Sequence, residues 1–374
     1  MICVIISGYQ TRNKQHEKLF IMLERCKFMG NQNEKPLVSV IMPTYNHERF
    51  ISEAINSVFI QSYPNWELII IDDGSTDRTQ EMIQKMMNPV NSNRVKLIKQ
   101  EHKGATQLSA MYNTALGHAQ GELIAILEGD DMWPLSKLEV QVSDFSDQDI
   151  GLSFGDYSWI DPRGKIIRTI CLSQYLPNEV CSNDPIGAAA WYMAGLAYRT
   201  FTFPCTVVMR RSALEVVGGF QGISGPVNLI DFPTFLELST KTRFAYHDTV
   251  LGYWRRHFRS LTTVFDENIT QSTFEYSLRF LASHPEYQYG GMDLVHSSWR
   301  RIFSRVRFTE AQANLVAGEW KNALDLFKKL ILDNKTQVAL RGASVLGLLA
   351  AALHTNMEPL MKFVRGYDLR RMKE

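Results

Sequence analysis

The sequence predicts an α/β fold built on a doubly wound, mostly parallel sheet, with a helical C-terminal extension. Three observations carry this. Short apolar, β-branched runs alternate four times with segments of helical periodicity between Val38 and Leu127. The runs are near-continuously apolar, as expected of strands covered on both faces. Beyond about Asp266 the chain turns helical to its end, with an Ala/Leu-rich stretch from Ala311 to Ala351.

The elements follow in order. Residues 1–35 read as an extension and linker. Lys14 to Phe28 has a helical apolar side, and the stretch from Gly30 to Pro36 is polar with Gly and Pro at its ends. Val38–Met42 is a strand stopped by Pro43. Phe50, Ile51, Ala54, Ile55, Val58 and Phe59 recur at helical spacing, ahead of Pro64. Trp66–Ile71 is a second strand, ending in Asp72-Asp73-Gly74-Ser75. In the next helix Asp77 and Gln80 stand at capping-box spacing. Val95–Ile98 is a third strand, Ala105–Ala119 a third helix and Leu123–Leu127 a fourth strand. Ile150–Gly155, Thr206–Met209 and Arg243–His247 read as strands of a less regular second half. The loop-rich stretch from Cys171 to Tyr198 offers Trp191, Tyr192 and Tyr198, either to stack on a ring-shaped ligand or to fill a core. Ala311–Ala351 reads as one tetratricopeptide-like helix pair, which must pack on the rest of the chain, a second copy or a partner.

Composition narrows the class. The chain of 374 residues is 45% hydrophobic and 21% charged, ordinary for a globular protein. A formal net charge of +1 gives no global field toward nucleic acid, so none is expected as a partner. Five scattered cysteines without a C-x-x-C argue for a reducing compartment and against zinc or a disulfide framework. The apolar start, Met1 to Ser7, is short for a signal peptide and lacks a basic beginning. No run approaches the roughly 18 apolar residues that span a bilayer. The expected setting is cytoplasmic.

The chemistry concentrates where the fourth strand ends in Glu128, Asp130 and Asp131. Carboxylates this close repel unless a cation, a proton or a basic partner joins them. Hard divalent cations, Mn²⁺ or Mg²⁺, take such oxygen ligands. A turn with solvated acids is the plainer reading of this segment alone. In doubly wound sheets, however, ligands bind beyond the carboxyl ends of the strands. Three polar clusters converge there: Pro43-Thr44-Tyr45-Asn46, Asp72 to Ser75, and Glu128 to Asp131.

In order, the motifs resemble family 2 glycosyltransferases, whose catalytic domain has the GT-A fold. The pieces are Val38-Ser-Val-Ile-Met-Pro-Thr-Tyr-Asn46, Ile69-Ile-Ile-Asp-Asp-Gly-Ser-Thr-Asp77, Asn113-Thr-Ala-Leu-Gly117 with Gly121-Glu122, Leu127-Glu-Gly-Asp-Asp-Met-Trp133, and Tyr253-Trp-Arg-Arg-His257 with Ser260-Leu261. The resemblance implies an enzyme domain over 36–265, with a nucleotide-binding half (36–135) and an acceptor half (136–265), and a helical region over 266–374. It implies transfer of a sugar from a nucleoside diphosphate donor, a UDP-sugar first among them, to a glycan or lipid-linked acceptor. Inversion and a divalent cation come with it. The context is bacterial surface polysaccharide or glycan assembly, at the inner face of the membrane. Pro43, Thr44, Tyr45, Asn46 and Asp73 then serve the nucleotide. Asp130 serves both ribose and metal, and Asp131 the metal. Glu128 stands where the family usually has Asp. Asp231 matches the family's base, with Ile230 where a Glu usually precedes it, and Glu237 is the second candidate. Arg255 and Arg256 are diphosphate contacts, and His257 a phosphate or metal contact; Lys103, in His102-Lys-Gly104, is a further phosphate or base contact. A binding or scaffold protein with a decayed transferase domain is the alternative, resting on Glu128 and Ile230. A nucleotidyltransferase would need a Gly-rich basic loop after the first strand, which Pro43 to Asn46 does not provide.

Overall fold

The computed structural model describes residues 35–87, 93–196, 201–225, 228–257 and 267–354. Residues 37–374 form one compact unit and residues 1–36 a separate one. The helix expected at Lys14 to Phe28 lies outside the described residues, as do Tyr198, Ser260 and Leu261.

One eight-stranded mixed sheet organises the larger unit. Its strands are β1 (Val38–Thr44), β2 (Trp66–Asp72), β3 (Val95–Lys99), β4 (Leu123–Ile126), β5 (Ile150–Ile160), β6 (Ile166–Ile170), β7 (Val208–Arg210) and β8 (Arg243–Arg255). The order is β3-β2-β1-β4-β7-β5-β6, with β8 on the other side of β5. The first four strands pair in parallel. β7 runs antiparallel to β4 and β5, β6 antiparallel to β5, and β8 parallel to β5. The expected parallel half is therefore present, and the second half is mixed.

Side chains alternate across each strand, and the sheet is buried on both faces. Ile41, Ile69, Ile71, Ile124 and Ile126 point into one core, with Met111, Tyr112, Ala115 and Leu116 of helix α3 (Leu108–His118). Val38, Val40, Met42, Leu68, Ile70 and Leu123 point into the other, with Ile51, Ala54, Ile55 and Val58 of α1 (Ile51–Phe59) and Ile83 of α2 (Thr79–Met86). The capping box expected at α2 does not form. The Asp77 carboxylate accepts from the Thr79 amide at 2.9 Å, while the Gln80 amide donates to Asp72 at 2.5 Å.

The later helices are α4 (Asp231–Ser239), α5 (Glu267–Ser283), α6 (Gly291–Ala317), α7 (Trp320–Leu332) and α8 (Val338–Ala352). They divide between two cores. Phe232, Phe235 and Leu236 of α4, Phe280 and Leu281 of α5, and Val295 and Trp299 of α6 join the first core of the sheet. The Trp299 indole N–H donates to the Ala194 carbonyl at 3.0 Å. The far end of α6 packs with α7 and α8 around Ala311, Leu315, Phe327, Leu330 and Ala350. A Cβ on Gly347 would stand 2.3 Å from the Phe327 ring, so the close approach of α7 and α8 requires glycine there. Among the described residues no helix is long and apolar enough to cross a membrane.

Candidate active site

A cavity of ≈ 500 Å³ lies at the carboxyl ends of β1, β2 and β4. Pro43, Thr44, Tyr45, Asp73, Glu128, Asp130 and Asp131 line it from those strand ends. Tyr112 of α3, Asp231 at the start of α4 and Thr270 and Thr273 of α5 line it from the helices. Trp159, Phe203, Trp254 and Arg256 form a further wall.

Potential ligand atoms of Glu128, Asp130 and Asp131 all lie within 4.8 Å of one another. Each acid has a different neighbour. Glu128 accepts from the Tyr112 hydroxyl at 3.0 Å. Asp130 meets the Nε2 of His257 at 2.9 Å and that of His47 at 3.9 Å. Asp131 accepts from the Arg255 amide at 2.8 Å. Burial raises the Glu128 carboxyl to about 8, Asp130's charge adding to it and the Tyr112 hydrogen bond opposing. Burial likewise raises Asp131 well above its ordinary value, with Asp130 and then Glu128 adding. Burial pushes Asp130 upward too, but the imidazoles of His47 and His257 outweigh it and leave it at about 2. One acid thus ionises readily and two resist. Three hard oxygen donors whose shared charge is costly when buried fit a divalent cation.

The Tyr45 edge of the cavity is a shelf. The Tyr45 ring stacks on His102, centroids 4.1 Å apart. Asp73 accepts from the Gln100 side chain at 2.6 Å and from the Lys103 and Gly104 amides at 3.0 Å. The loop after β3 is thereby tied to the end of β2. Gly74 adopts φ +71°, and a Cβ there would stand 2.7 Å from the His102 nitrogen.

Asp231 is the first residue of α4 and its carboxylate accepts from the Phe232 amide at 2.8 Å. Ile230, not Asp231, is the residue at the N-cap, and its side chain is buried in the core. The charge of Asp231 contributes to the upward shifts of both Glu128 and Tyr112, which places the carboxylate within electrostatic reach of the acid cluster. Glu237 lies further along α4, accepts from the Tyr276 hydroxyl at 3.1 Å and does not line the cavity.

Four expected contacts are placed elsewhere. Asn46, at φ +54°, turns its side-chain oxygen to the Thr76 amide at 2.8 Å and so staples two loops together. Lys103 reaches the site through its backbone amide, and its side chain is exposed. His257 stands behind Asp130, its ring 4.8 Å from that of Phe50. Arg255 is wholly buried. Its guanidinium donates to the carbonyls of Asp130 (2.8 Å), Asp161 (3.3 Å) and Pro162 (3.0 Å) and to Glu53 (2.6 Å). It braces the acid turn from behind rather than facing a diphosphate. Arg255→Met is expected to cost about 3–5 kcal/mol, since three carbonyls would lose donors. Urea unfolding of the variant and the parent measures this.

Sequence reasoning missed His47, Tyr112, Trp159, Phe203 and Trp254. Trp159 was hidden because the strand was expected to stop at Gly155, whereas β5 continues to Ile160. Gly155 lets β8 come close; a Cβ would stand 2.8 Å from the His247 carbonyl. Trp191 and Tyr192 pack partly buried against the core and do not line the cavity.

Residues 39–216 match the sequence model of glycosyl transferase family 2. A 36% identical relative is UDP-Glc:alpha-D-GlcNAc-diphosphoundecaprenol beta-1,3-glucosyltransferase WfgD of Escherichia coli, matched over 45% of this chain and 64% of that one. The putative teichuronic acid biosynthesis glycosyltransferase TuaG of Bacillus subtilis (strain 168) is 40% identical over 34% of this chain and 48% of its own. The chain thus spans less than two thirds of the length of either relative. Among solved structures, S. aureus TarS 1-349 in complex with UDP-GlcNAc is 17% identical with a TM-score of 0.48, over 90% of this chain and 89% of that one. Mannosyltransferase PcManGT from Pyrobaculum calidifontis, in complex with GDP-Man and Mn²⁺, is 19% identical with a TM-score of 0.46, over 94% and 84%. The ordered motifs from Val38 to His257 and the sequence match agree: residues 39–216 are a glycosyl transferase family 2 segment.

Proposed function

We propose that the protein transfers a sugar from a UDP-sugar to an acceptor hydroxyl with inversion, in the assembly of a bacterial surface polysaccharide or other glycan. The observation that carries this reading is one cavity holding both the acid cluster and Asp231. The printed activity of WfgD supports a UDP-sugar donor and a lipid-linked acceptor, and the printed name of TuaG supports a role in polysaccharide assembly. Such an acceptor would bring the protein to the inner face of the cytoplasmic membrane. The transferase unit is read as residues 36–265, with α5 completing its cavity through Thr270 and Thr273.

Asp131, Asp130 and Glu128 would hold Mn²⁺ or Mg²⁺. Bound there, the cation neutralises charge developing on the departing diphosphate. The rest belongs to the chain's own groups. Tyr45 and His102 offer a stacked shelf to the base. His47 and His257 hold Asp130 ionised. Asp231 takes the proton from the acceptor hydroxyl as that oxygen attacks the anomeric carbon. Ile230 fills the core, so the departure at that position leaves Asp231 at the head of the helix. Glu128 stays inside the acid cluster despite its extra methylene. Neither departure therefore favours the scaffold alternative.

A thermal-shift screen of nucleoside diphosphate sugars with and without Mn²⁺ tests the reading. A UDP-sugar in Mn²⁺ is expected to raise Tm, with a stabilisation of about 2.7 kcal/mol at a hundredfold excess over Kd. Absence of any Mn²⁺-dependent shift across the panel contradicts it.

A further inference from the structure

One wall of the cavity, lined by Trp159, Phe203, Trp254 and Arg256, carries aromatic rings and a guanidinium rather than acids. In the sheet register Trp159 of β5 stands directly across from Trp254 of β8 on one side and Arg168 of β6 on the other. Directly opposed residues share a face, so Arg168, Trp159 and Trp254 form one row. Arg256 lies two residues beyond Trp254 on the same face. Its guanidinium sits 4.7 Å from the Trp254 ring centroid and 5.3 Å from that of Trp159, held by both indoles. Its amide donates to the Ile160 carbonyl at 2.9 Å, which fixes the chain beyond β8. Phe203 extends the wall, 5.0 Å from Trp254. Trp159, Phe203, Trp254 and Arg256 all line the cavity and are half-buried. Arg168 is exposed at the sheet's edge. The positive charges of Arg256 and Arg168 both act on Tyr157, so the two guanidinium groups flank one stretch of wall.

The two halves of the site divide the substrates. A donor diphosphate belongs at the carboxylates on β4's end, because among the described residues those are the acids clustered closely enough to carry its cation. The aromatic wall from the second half of the sheet is then left for the other substrate, and Asp231 lines the same cavity. Indoles pack against the C–H faces of a sugar ring. A planar guanidinium fixed by stacking takes a phosphate or carboxylate through paired hydrogen bonds.

We infer that Trp159, Trp254 and Arg256 form the acceptor subsite, and that it takes a sugar carrying a negatively charged group, phosphoryl or carboxylate, seated on Arg256. The inference rests on the glycosyltransferase reading. It moves Arg256 from the donor's diphosphate, where its motif alone placed it, to the acceptor.

Tryptophan fluorescence of the full chain with Mn²⁺ and saturating UDP or GDP tests this. The probes are glucose 1-phosphate, glucuronate and methyl glucoside. An anionic probe is expected to bind about tenfold or more tighter than methyl glucoside, the scale of a charged hydrogen bond. Preference for glucose 1-phosphate identifies a phosphoryl group, and preference for glucuronate a carboxylate. Arg256→Gln is expected to remove that preference and leave nucleoside diphosphate affinity within about twofold, since a neutral acceptor makes no ionic contact there. Trp254→Leu is expected to weaken all three probes and reduce the quench. Equal binding of the three probes by the parent overturns the inference. So does Arg256→Gln that loses nucleoside diphosphate and keeps the probe preference. A parent that binds neither UDP nor GDP overturns the glycosyltransferase reading, and this inference with it.

Discussion

Asp231→Asn is expected to slow transfer about 10²–10⁴-fold, the usual contribution of a positioned general base, while donor affinity stays unchanged. The two effects separate because of where the residue sits. Its carboxylate oxygen accepts from the Phe232 amide at 2.8 Å, a contact that the asparagine side-chain oxygen retains. The first turn of α4 should therefore survive, and Phe232, Phe235 and Leu236 stay in the core. What is lost is the capacity to take a proton. Measured kcat should fall, with the nucleoside diphosphate Kd within about twofold, because Asp231 is not among the three clustered acids. Loss of donor binding together with activity would instead make Asp231 structural.

Asp131→Asn is expected to abolish Mn²⁺-dependent nucleotide binding and, with it, transfer. It should also make the metal-free protein more stable. Asp131 is 2% exposed and is pushed well above its ordinary value by burial, by Asp130 and by Glu128. Without a cation the parent keeps this acid at a cost, either holding a proton or bearing the repulsion. Asparagine keeps an oxygen for the Arg255 amide, at 2.8 Å in the parent, and removes the charge. An elevated Tm in chelator and loss of the Mn²⁺-plus-UDP shift are the paired outcomes. This is the trade expected where a site holds like charges together for function. A variant that still gains stability from Mn²⁺ and UDP, as the parent is expected to, would remove Asp131 from the metal site.

The parallel half of the fold was legible because its strands are buried on both faces and its helices are amphipathic. There each apolar run marks an element without ambiguity. Even so, β1 runs past the expected stop at Pro43, which pairs with Ile71 of β2. On the β4 side Pro43 has no amide to give, but its carbonyl still accepts from the Gly129 amide at 3.0 Å, which holds the two strand ends together. The mixed half was read only in fragments. β8 was expected at Arg243 to His247 and continues to Arg255, across register shifts against β5 that break a simple alternation. The acids of the site were visible because they are neighbours in sequence. The wall was not, because Trp159, Phe203 and Trp254 come from three separate segments. Arg255 and Arg256 show the limit most clearly. A shift of one residue turns a side chain to the opposite face of a strand. One arginine braces the acid turn and its neighbour lines the cavity, and the motif alone treats them alike.

We propose that Glu128, Asp130 and Asp131 hold a divalent cation together with a nucleoside diphosphate. Electron paramagnetic resonance of Mn²⁺, titrated into the full chain with UDP present, tests it most directly. The free Mn²⁺ signal is expected to fall until one ion is bound per chain, omission of UDP to weaken uptake, and Asp131→Asn to leave the signal free. Equal uptake by the parent and Asp131→Asn, or no uptake by the parent with UDP, would contradict it.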